Sequence, residues 1–186
     1  VHEFRKELIN GRISKIIQPE NDELLLTDKA SDGQKRLLIS ADASLPLIYL
    51  TDTNKNAPMT APNFCMLLRK HIGGGRIVDI RQPKLERIIH FTIEHLDEMG
   101  DLCRKELIVE IMGKHSNIIF CTQDGKIIDS IKHVSAQMSS VREVLPGREY
   151  FIPDTMHKAD PLTVDTETFK DLLKAKPVPV SKAVYT

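Results

Sequence analysis

The residue pattern predicts an α+β protein, a pseudo-symmetric antiparallel β-sandwich with flanking helices. Two observations predict it. A helix, a glycine stop, a strand opening on Arg-Ile, a Gln-Pro turn and a second strand are written twice along the chain. Further strands follow each copy, and the pattern reads as two halves of one helix and four strands.

The repeat is read at a constant offset of 64, with FRKELINGRISKIIQPENDELLL lying over LRKHIGGGRIVDIRQPKLERIIH without a gap. Eight of the 23 aligned positions are identical: Arg5/Arg69, Lys6/Lys70, Gly11/Gly75, Arg12/Arg76, Ile13/Ile77, Ile16/Ile80, Gln18/Gln82 and Pro19/Pro83. Self-similarity of this kind is the mark of a duplicated supersecondary unit.

The chain opens with a helix over 1–10 that turns Val1, Phe4, Leu8 and Ile9 inward and stops at Asn10-Gly11. Arg12 to Gln18 is a strand, Pro19 to Asp22 a turn, and Glu23 to Thr27 a second strand, too short for a helix despite its leucines. The polar stretch Asp28 to Lys35 contains Asp32-Gly33, a dipeptide that supplies positive φ at low cost and marks a reversal. Arg36 to Ser40 and Leu47 to Thr51 are the next strands. Pro46 cannot donate to a ladder, which puts it at an edge or a strand start. Thr51 to Ala61 then connects to the second copy.

That copy's helix carries Phe64, Leu67, Leu68 and Ile72 on one stripe, with Arg69 and Lys70 pointing away. Gly73, Gly74 and Gly75 admit two readings, a left-handed helix stop or a phosphate cradle. The helix C-terminus is its negative end, which favours the stop. Beyond the Gln-Pro turn a strand runs to about Glu94, with Arg87, Ile89, Phe91 and Ile93 on one face. Glu98 to Asp101 turn the chain. Lys105 to Met112 alternates, Leu107, Val109 and Ile111 inward and Glu106, Ile108 and Glu110 outward. Ser116 to Thr122 and Lys126 to Ile131 flank Asp124-Gly125, another hairpin signal. At an offset of 70, LLISADASLPLIYL lies over LIVEIMGKHSNIIF and extends the repeat in pattern rather than identity. From Pro146 prolines punctuate the chain, and one short helix is expected from Asp165 to Lys174, its cap residues lying in Thr163 to Glu167. The expected division is a domain over 1–152 and a proline-rich linker over 153–186, with both ends read as cuts.

Basic and acidic residues number 26 each, so any nucleic-acid face must be local. Cys65, Cys103 and Cys121 fit no metal or redox spacing and read as buried thiols in a reducing compartment. No apolar run approaches the ~20 residues of a membrane span, and no signal sequence is present, so the expectation is an intracellular protein or a piece of one. Trp is absent and aromatics are 5%, which disfavours base stacking on an aromatic platform.

The two copies differ where Asp22-Glu23 becomes Glu86-Arg87. Arg87 opens a strand beside a turn, either as an ordinary strand-end charge or as a guanidinium reaching for phosphate or carboxylate. Around it gather Arg69, Lys70, His71, Arg76, Arg81 and Lys84, joined by Lys114 and His115 if the last strands pack nearby. Such a patch suits an RNA backbone, although a solvated helix face accounts equally well for Arg69 and Lys70. His71, His90, His95, His115 and His133 lack short ligand spacing, so no metal is expected. Ser116, His115 and Asp129 do not read as a triad, and no nucleophile elbow, Walker loop, dinucleotide fingerprint or zinc helix occurs.

FCMLLRKHIGGGRI, IRQPKLERII, EIMGKHSNII, DSIKHVS and VLPG, in that order and spacing, resemble the N-terminal NFACT domain of ribosome quality-control factors, the bacterial RqcH and animal NEMF type formerly called fibronectin-binding protein A. The resemblance covers about Val1 to Pro153, and the tail resembles the approach to that family's helix-hairpin-helix domain. It implies a cytoplasmic protein that binds a large ribosomal subunit carrying an obstructed nascent chain and its tRNA. It further implies recruitment of alanyl-tRNA for template-free alanine tailing. Peptidyl transfer would remain the ribosome's chemistry, making the chain a tRNA adaptor rather than an enzyme, with no cofactor and no membrane. The family's Asp-Arg pair for tRNA recruitment falls on Glu86 and Arg87, with Glu in place of Asp. Arg69, Lys70, Arg81, Lys84, Lys114 and His115 complete the expected tRNA-binding set. Two other readings stay open: a fibronectin-binding surface adhesin, and a nucleic-acid-binding domain like that of formamidopyrimidine DNA glycosylases. The second shares the expected fold, but the chain lacks those enzymes' N-terminal proline nucleophile and zinc finger.

Overall fold

Helix α1 (His2–Leu8) leads into strands β1 (Arg12–Ile17), β2 (Glu23–Ala30), β3 (Gly33–Ser40) and β4 (Leu47–Leu50). Helix α2 (Asn63–Ile72) leads into β5 (Arg76–Arg81), β6 (Ile88–Leu96), β7 (Leu102–Glu110), β8 (Asn117–Thr122) and β9 (Ile127–Ser130). This computed structural model describes residues 1–30, 33–153 and 159–183. The chain divides into two units, Val1–Phe151 and Ile152–Thr186. The second unit contains α3 (Thr166–Lys174), capped by Asp165 accepting from the Glu167 and Thr168 amides, and α4 (Val180–Ala183).

The nine strands among the described residues are antiparallel neighbours in one sheet, ordered β4-β3-β2-β1-β5-β6-β7-β8-β9. The order runs outward from its middle as the duplication requires, β1 to β4 on one side and β5 to β8 on the other, with β9 added. The equivalent residues Arg12 and Arg76 face each other at the joint, the one register pair between β1 and β5 among the described residues. Ile13 N–H donates to Gly75 O at 2.9 Å, and Ile77 N–H donates to Gly11 O at 3.0 Å. Gly74 N–H donates to Ile13 O and Asn10 N–H to Ile77 O, both at 2.8 Å. Every bond in this seam has its counterpart 64 residues away, so a pseudo-two-fold axis passes between Arg12 and Arg76. Asn10 (φ 69°) and Gly74 (φ 76°) are both left-handed. Each opens the same device, a bulge with its first residue in that conformation.

The helices cross the seam: α1 packs on β5 and α2 on β1. Arg5 Nη1 donates to Ile80 O at 2.5 Å, and its equivalent Arg69 donates from Nε to Ile16 O at 2.8 Å. Gly11 and Gly75 are held to glycine by crowding, since a Cβ at Gly11 would lie 1.8 Å from Asp28 Oδ2, and at Gly75 2.8 Å from Ile93 Cγ2. A single core gathers Phe4 and Leu8 from α1, Phe64, Cys65, Leu68 and Ile72 from α2, and alternate residues of both halves of the sheet, among them Leu24, Leu26, Leu37, Phe91, Leu107 and Phe120. The expected class, the two pseudo-symmetric halves and the flanking helices are therefore present. The halves of the expected sandwich are continuous through the Arg12–Arg76 pair while sharing one apolar interior.

Three local expectations are corrected. The stretch Asp28 to Lys35 is largely strand, with β2 and β3 paired out to Ala30 and Gly33, and Asp32 lies outside the described residues. Glu106, Ile108 and Glu110 do not face solvent: all three are buried. Glu110 accepts from Tyr150 Oη at 2.9 Å and pairs with Arg142, because the irregular segment after β9 folds over that face of β7. Cys103 is half-buried beside His95 and Lys105, unlike the buried Cys65 and Cys121.

Candidate nucleic-acid interface

Residues 82–87 join β5 to β6. Gln82 Nε2 closes the turn by donating to Glu86 O at 2.8 Å, the Glu86 amide donates to Pro83 O at 3.0 Å, and Lys84 takes a left-handed φ of 47°. Gln18, its equivalent, closes the first copy's turn on Asn21 O. Where the copies part, the chemistry inverts. Glu23 is buried at the start of β2 with both carboxylate oxygens 2.7 Å from Lys55 Nζ. Arg87, at the corresponding place, is exposed, as is Glu86. Among the described residues no hydrogen bond or ion pair engages either side chain.

A second connection meets this turn. Ile111 N–H donates to Arg87 O at 2.9 Å, and the chain then makes a 3-10 turn over Gly113–His115 before β8. Gly113 (φ 57°) and the Ser116 hydroxyl, which accepts from the Met112 amide at 2.8 Å, hold that turn in shape and present Lys114 and His115 to solvent. Ile88, Glu110 and Asn117 are register partners, so Lys84, Glu86, Arg87, Lys114 and His115 share one rim of the sheet. Three full positive charges stand there against one carboxylate.

The other expected residues lie elsewhere. Arg81 ends β5 close to the rim, but its guanidinium reaches across the sheet to Glu106 Oε2 at 3.0 Å and Thr92 Oγ1 at 3.1 Å. Burial alone would raise the Glu106 carboxyl, yet hydrogen bonds from His90, Thr92 and Arg81, with Arg81's charge, bring it down to about 2. Arg69 donates to Ile16 O across the seam. Lys70 pairs at 2.8 Å with Glu98, in the β6–β7 hairpin at the far end of β6 from Arg87, on the order of 25 Å away for a nine-residue strand. Each partner shifts the other, Lys70 upward and Glu98 downward, through their hydrogen bond and charges. The rim thus collects five of the eight expected residues.

The polar group that Arg81 forms with the buried His90, Thr92 and Glu106, and the one that Arg142 and Tyr150 form with the buried Glu110, were not legible. The only signal was the alternation of β6 and β7, which reads equally as a solvated face. Asp129 pairs with His133 rather than His115, and Ser116 is buried. No helix among the described residues is long and apolar enough to cross a membrane.

The model of the NFACT N-terminal and middle domains matches residues 1–186. The chain is 43% identical over 162 residues to "Rqc2 homolog RqcH" of Bacillus subtilis, covering 87% of this chain and 28% of that protein. It is 39% identical over 177 residues to the protein of that name from Streptococcus pneumoniae, covering 95% and 32%. The chain therefore spans about a third of the length of these curated relatives. Among solved structures, the N-terminal domain of fibronectin-binding protein PavA from Streptococcus pneumoniae superposes with a TM-score of 0.83 at 39% identity, over 93% of this chain and 65% of that one.

Proposed function

The chain belongs to the family of NFACT N-terminal and middle domains, and from that premise we propose that it is the tRNA- and large-subunit-binding module of a ribosome quality-control factor. In this reading the whole protein recruits alanyl-tRNA to a large subunit with obstructed peptidyl-tRNA, in the cytoplasm, for template-free alanine tailing. The module positions tRNA, and the bond-forming chemistry belongs to the ribosome. The observation that carries the reading is Arg87: where the first copy buries a carboxylate on a lysine, the second exposes a guanidinium on a rim with Lys84, Lys114 and His115. A guanidinium offers phosphate a planar, two-pronged contact, and Glu86, its neighbour in the chain, supplies the carboxylate of the pair in this reading.

The test is capture of alanine tRNA by the full-length protein carrying Arg87→Ala. The expected result is loss of recruitment with an unchanged melting temperature, and undiminished capture by a folded variant would refute the reading. A second reading follows from the name of PavA, a fibronectin-binding protein. It requires the protein on the surface of intact cells, which fractionation measures, and an affinity for fibronectin that Arg87→Ala leaves unchanged.

A further inference from the structure

Across the middle of the sheet, on the face turned away from the core, successive register pairs line up one residue from each of six strands. Gln34 of β3 faces Lys29 of β2, Lys29 faces Arg12 of β1, Arg12 faces Arg76 of β5, Arg76 faces Glu94 of β6, and Glu94 faces Arg104 of β7. Directly opposed residues point to the same side, and neighbouring strands lie about 4.8 Å apart, so the row runs roughly 24 Å across the pseudo-two-fold axis. Gln34, Lys29, Arg12, Arg76 and Arg104 are exposed. Lys15 and Arg36, both paired with Thr27, form the adjacent row on the same face of the first half.

The row is electrostatically unfavourable by itself. Lys29 opposite Arg12, and Arg12 opposite Arg76, are consecutive like-charged pairs, an arrangement that destabilises a sheet. The Arg12–Arg76 pair is also of the close kind, since the seam's hydrogen bonds flank it rather than join it. The single carboxylate in the row is already committed: Glu94 is buried between Arg76 Nη2 at 2.6 Å and Arg104 Nη2 at 3.1 Å, and their hydrogen bonds hold its carboxyl below the usual range. Among the described residues, Arg12 Nη1 reaches only the Gly74 carbonyl, at 3.2 Å. The carboxylates of the adjacent row on this face are also occupied, Asp79 by Arg5 at 2.7 Å and Glu106 by Arg81 at 3.0 Å, as are those of the β6–β7 hairpin, Asp97 by the Met99 and Asp101 amides and Glu98 by Lys70. In a chain with no net charge, four cations in one line are left with one internal counter-charge.

We infer that this row is a second nucleic-acid contact, a track for the phosphate backbone of a helical RNA segment, separate from the Arg87 rim. The inference rests on the RNA-binding reading of the chain and adds a surface to it. Three of the four cations are arginines, whose forks match phosphate oxygens, and no member of the row is apolar. A protein partner would require a desolvated apolar centre in the patch, which the row does not provide. The contact reads charge and spacing rather than base identity.

The probe is a fluorescently labelled RNA duplex of about 20 base pairs and mixed sequence, titrated at several salt concentrations against the wild-type chain, K15Q/K29Q, Arg12→Gln and Arg87→Ala. Neither lysine makes a hydrogen bond or ion pair among the described residues. K15Q/K29Q is therefore expected to melt no lower than wild type, and higher at low salt as repulsion is relieved. Its affinity should fall about tenfold at 0.15 M salt, with the slope of log K against log salt shallower by about 2, one for each phosphate that a lysine no longer neutralises. Arg12→Gln should lose about one unit of slope. Folded K15Q/K29Q and Arg12→Gln proteins with wild-type affinity and slope would overturn the inference. So would a polyglutamate peptide that binds the row as tightly as the duplex, which would assign it to an acidic protein. If the row variants bind duplex normally while Arg87→Ala abolishes tRNA recruitment by the full-length protein, this inference fails alone. If Arg87→Ala recruits normally while the row variants are impaired, the rim reading fails and the row stands.

Discussion

Arg5 and Arg69 occupy equivalent places and act alike, each crossing the seam to a strand carbonyl of the other half. Their identity in both copies was the sequence signal for that structural task, since a residue specialised for a ligand has no reason to recur in the half that does not bind it. Glu106 was less legible, because a glutamate in an alternating strand reads as solvent-facing. Its carboxyl, brought down to about 2 against an ordinary 4.5, supplies stability that is fully present above about pH 4.5 and is lost as the pH falls toward 2. Glu106→Gln is expected to cost about 2 kcal/mol in urea melts at pH 7. That gap from wild type should shrink between pH 5 and pH 3. A constant gap across that range would show that packing, rather than ionisation, makes Glu106 valuable.

At the level of elements, α1 and α2 are each followed by a tight turn, Leu8 to Gly11 and Ile72 to Gly75, whose left-handed residue also begins a bulge, so that one position turns the chain out of the helix and sets the register of the seam. The first copy uses Asn10 and the second Gly74, the two residue types that tolerate this backbone best. Gly74→Asn is accordingly expected to leave the urea midpoint nearly unchanged, whereas Gly74→Val should cost about 2 kcal/mol. Equal losses from the two substitutions would mean that space, not backbone conformation, selects the residue. Most strands were readable from alternation and from Gln-Pro and Asp-Gly reversals, and Pro46 signalled an edge or a strand start, where it immediately precedes the edge strand β4. The cover on β6 and β7 was not, because the segment after β9 has no periodicity and is tied down by the isolated bridges Lys126–Glu149 and Val134–Val144. The Glu86-Arg87 turn stood out because the copies disagree there. The cationic row did not, since it is assembled from six strands whose alignment only the register reveals.

For the molecule as a whole, one core drawn from both halves implies that residues 1–151 open together. Native-state amide exchange should give β2–β3 and β6–β7 a common opening free energy. The amides of α3, none of whose residues is buried, should exchange orders of magnitude faster. Two separate opening free energies for the halves would contradict the shared interior. The duplication could be read from the sequence at this scale, but whether the halves make one sheet or two could not. A single pair of arginines decides that question, and no alternation pattern encodes it.

The reciprocal joint between Gly11–Ile13 and Gly75–Ile77 has the form of a homodimer contact, the same patch used by both partners. Nothing in its geometry requires both patches to come from one molecule. A chain whose connection from 51 to 62 were cut too short to let the halves meet would still hold two complementary surfaces. It would satisfy them by exchanging halves with a neighbour, giving an intertwined dimer in place of the monomeric pairing.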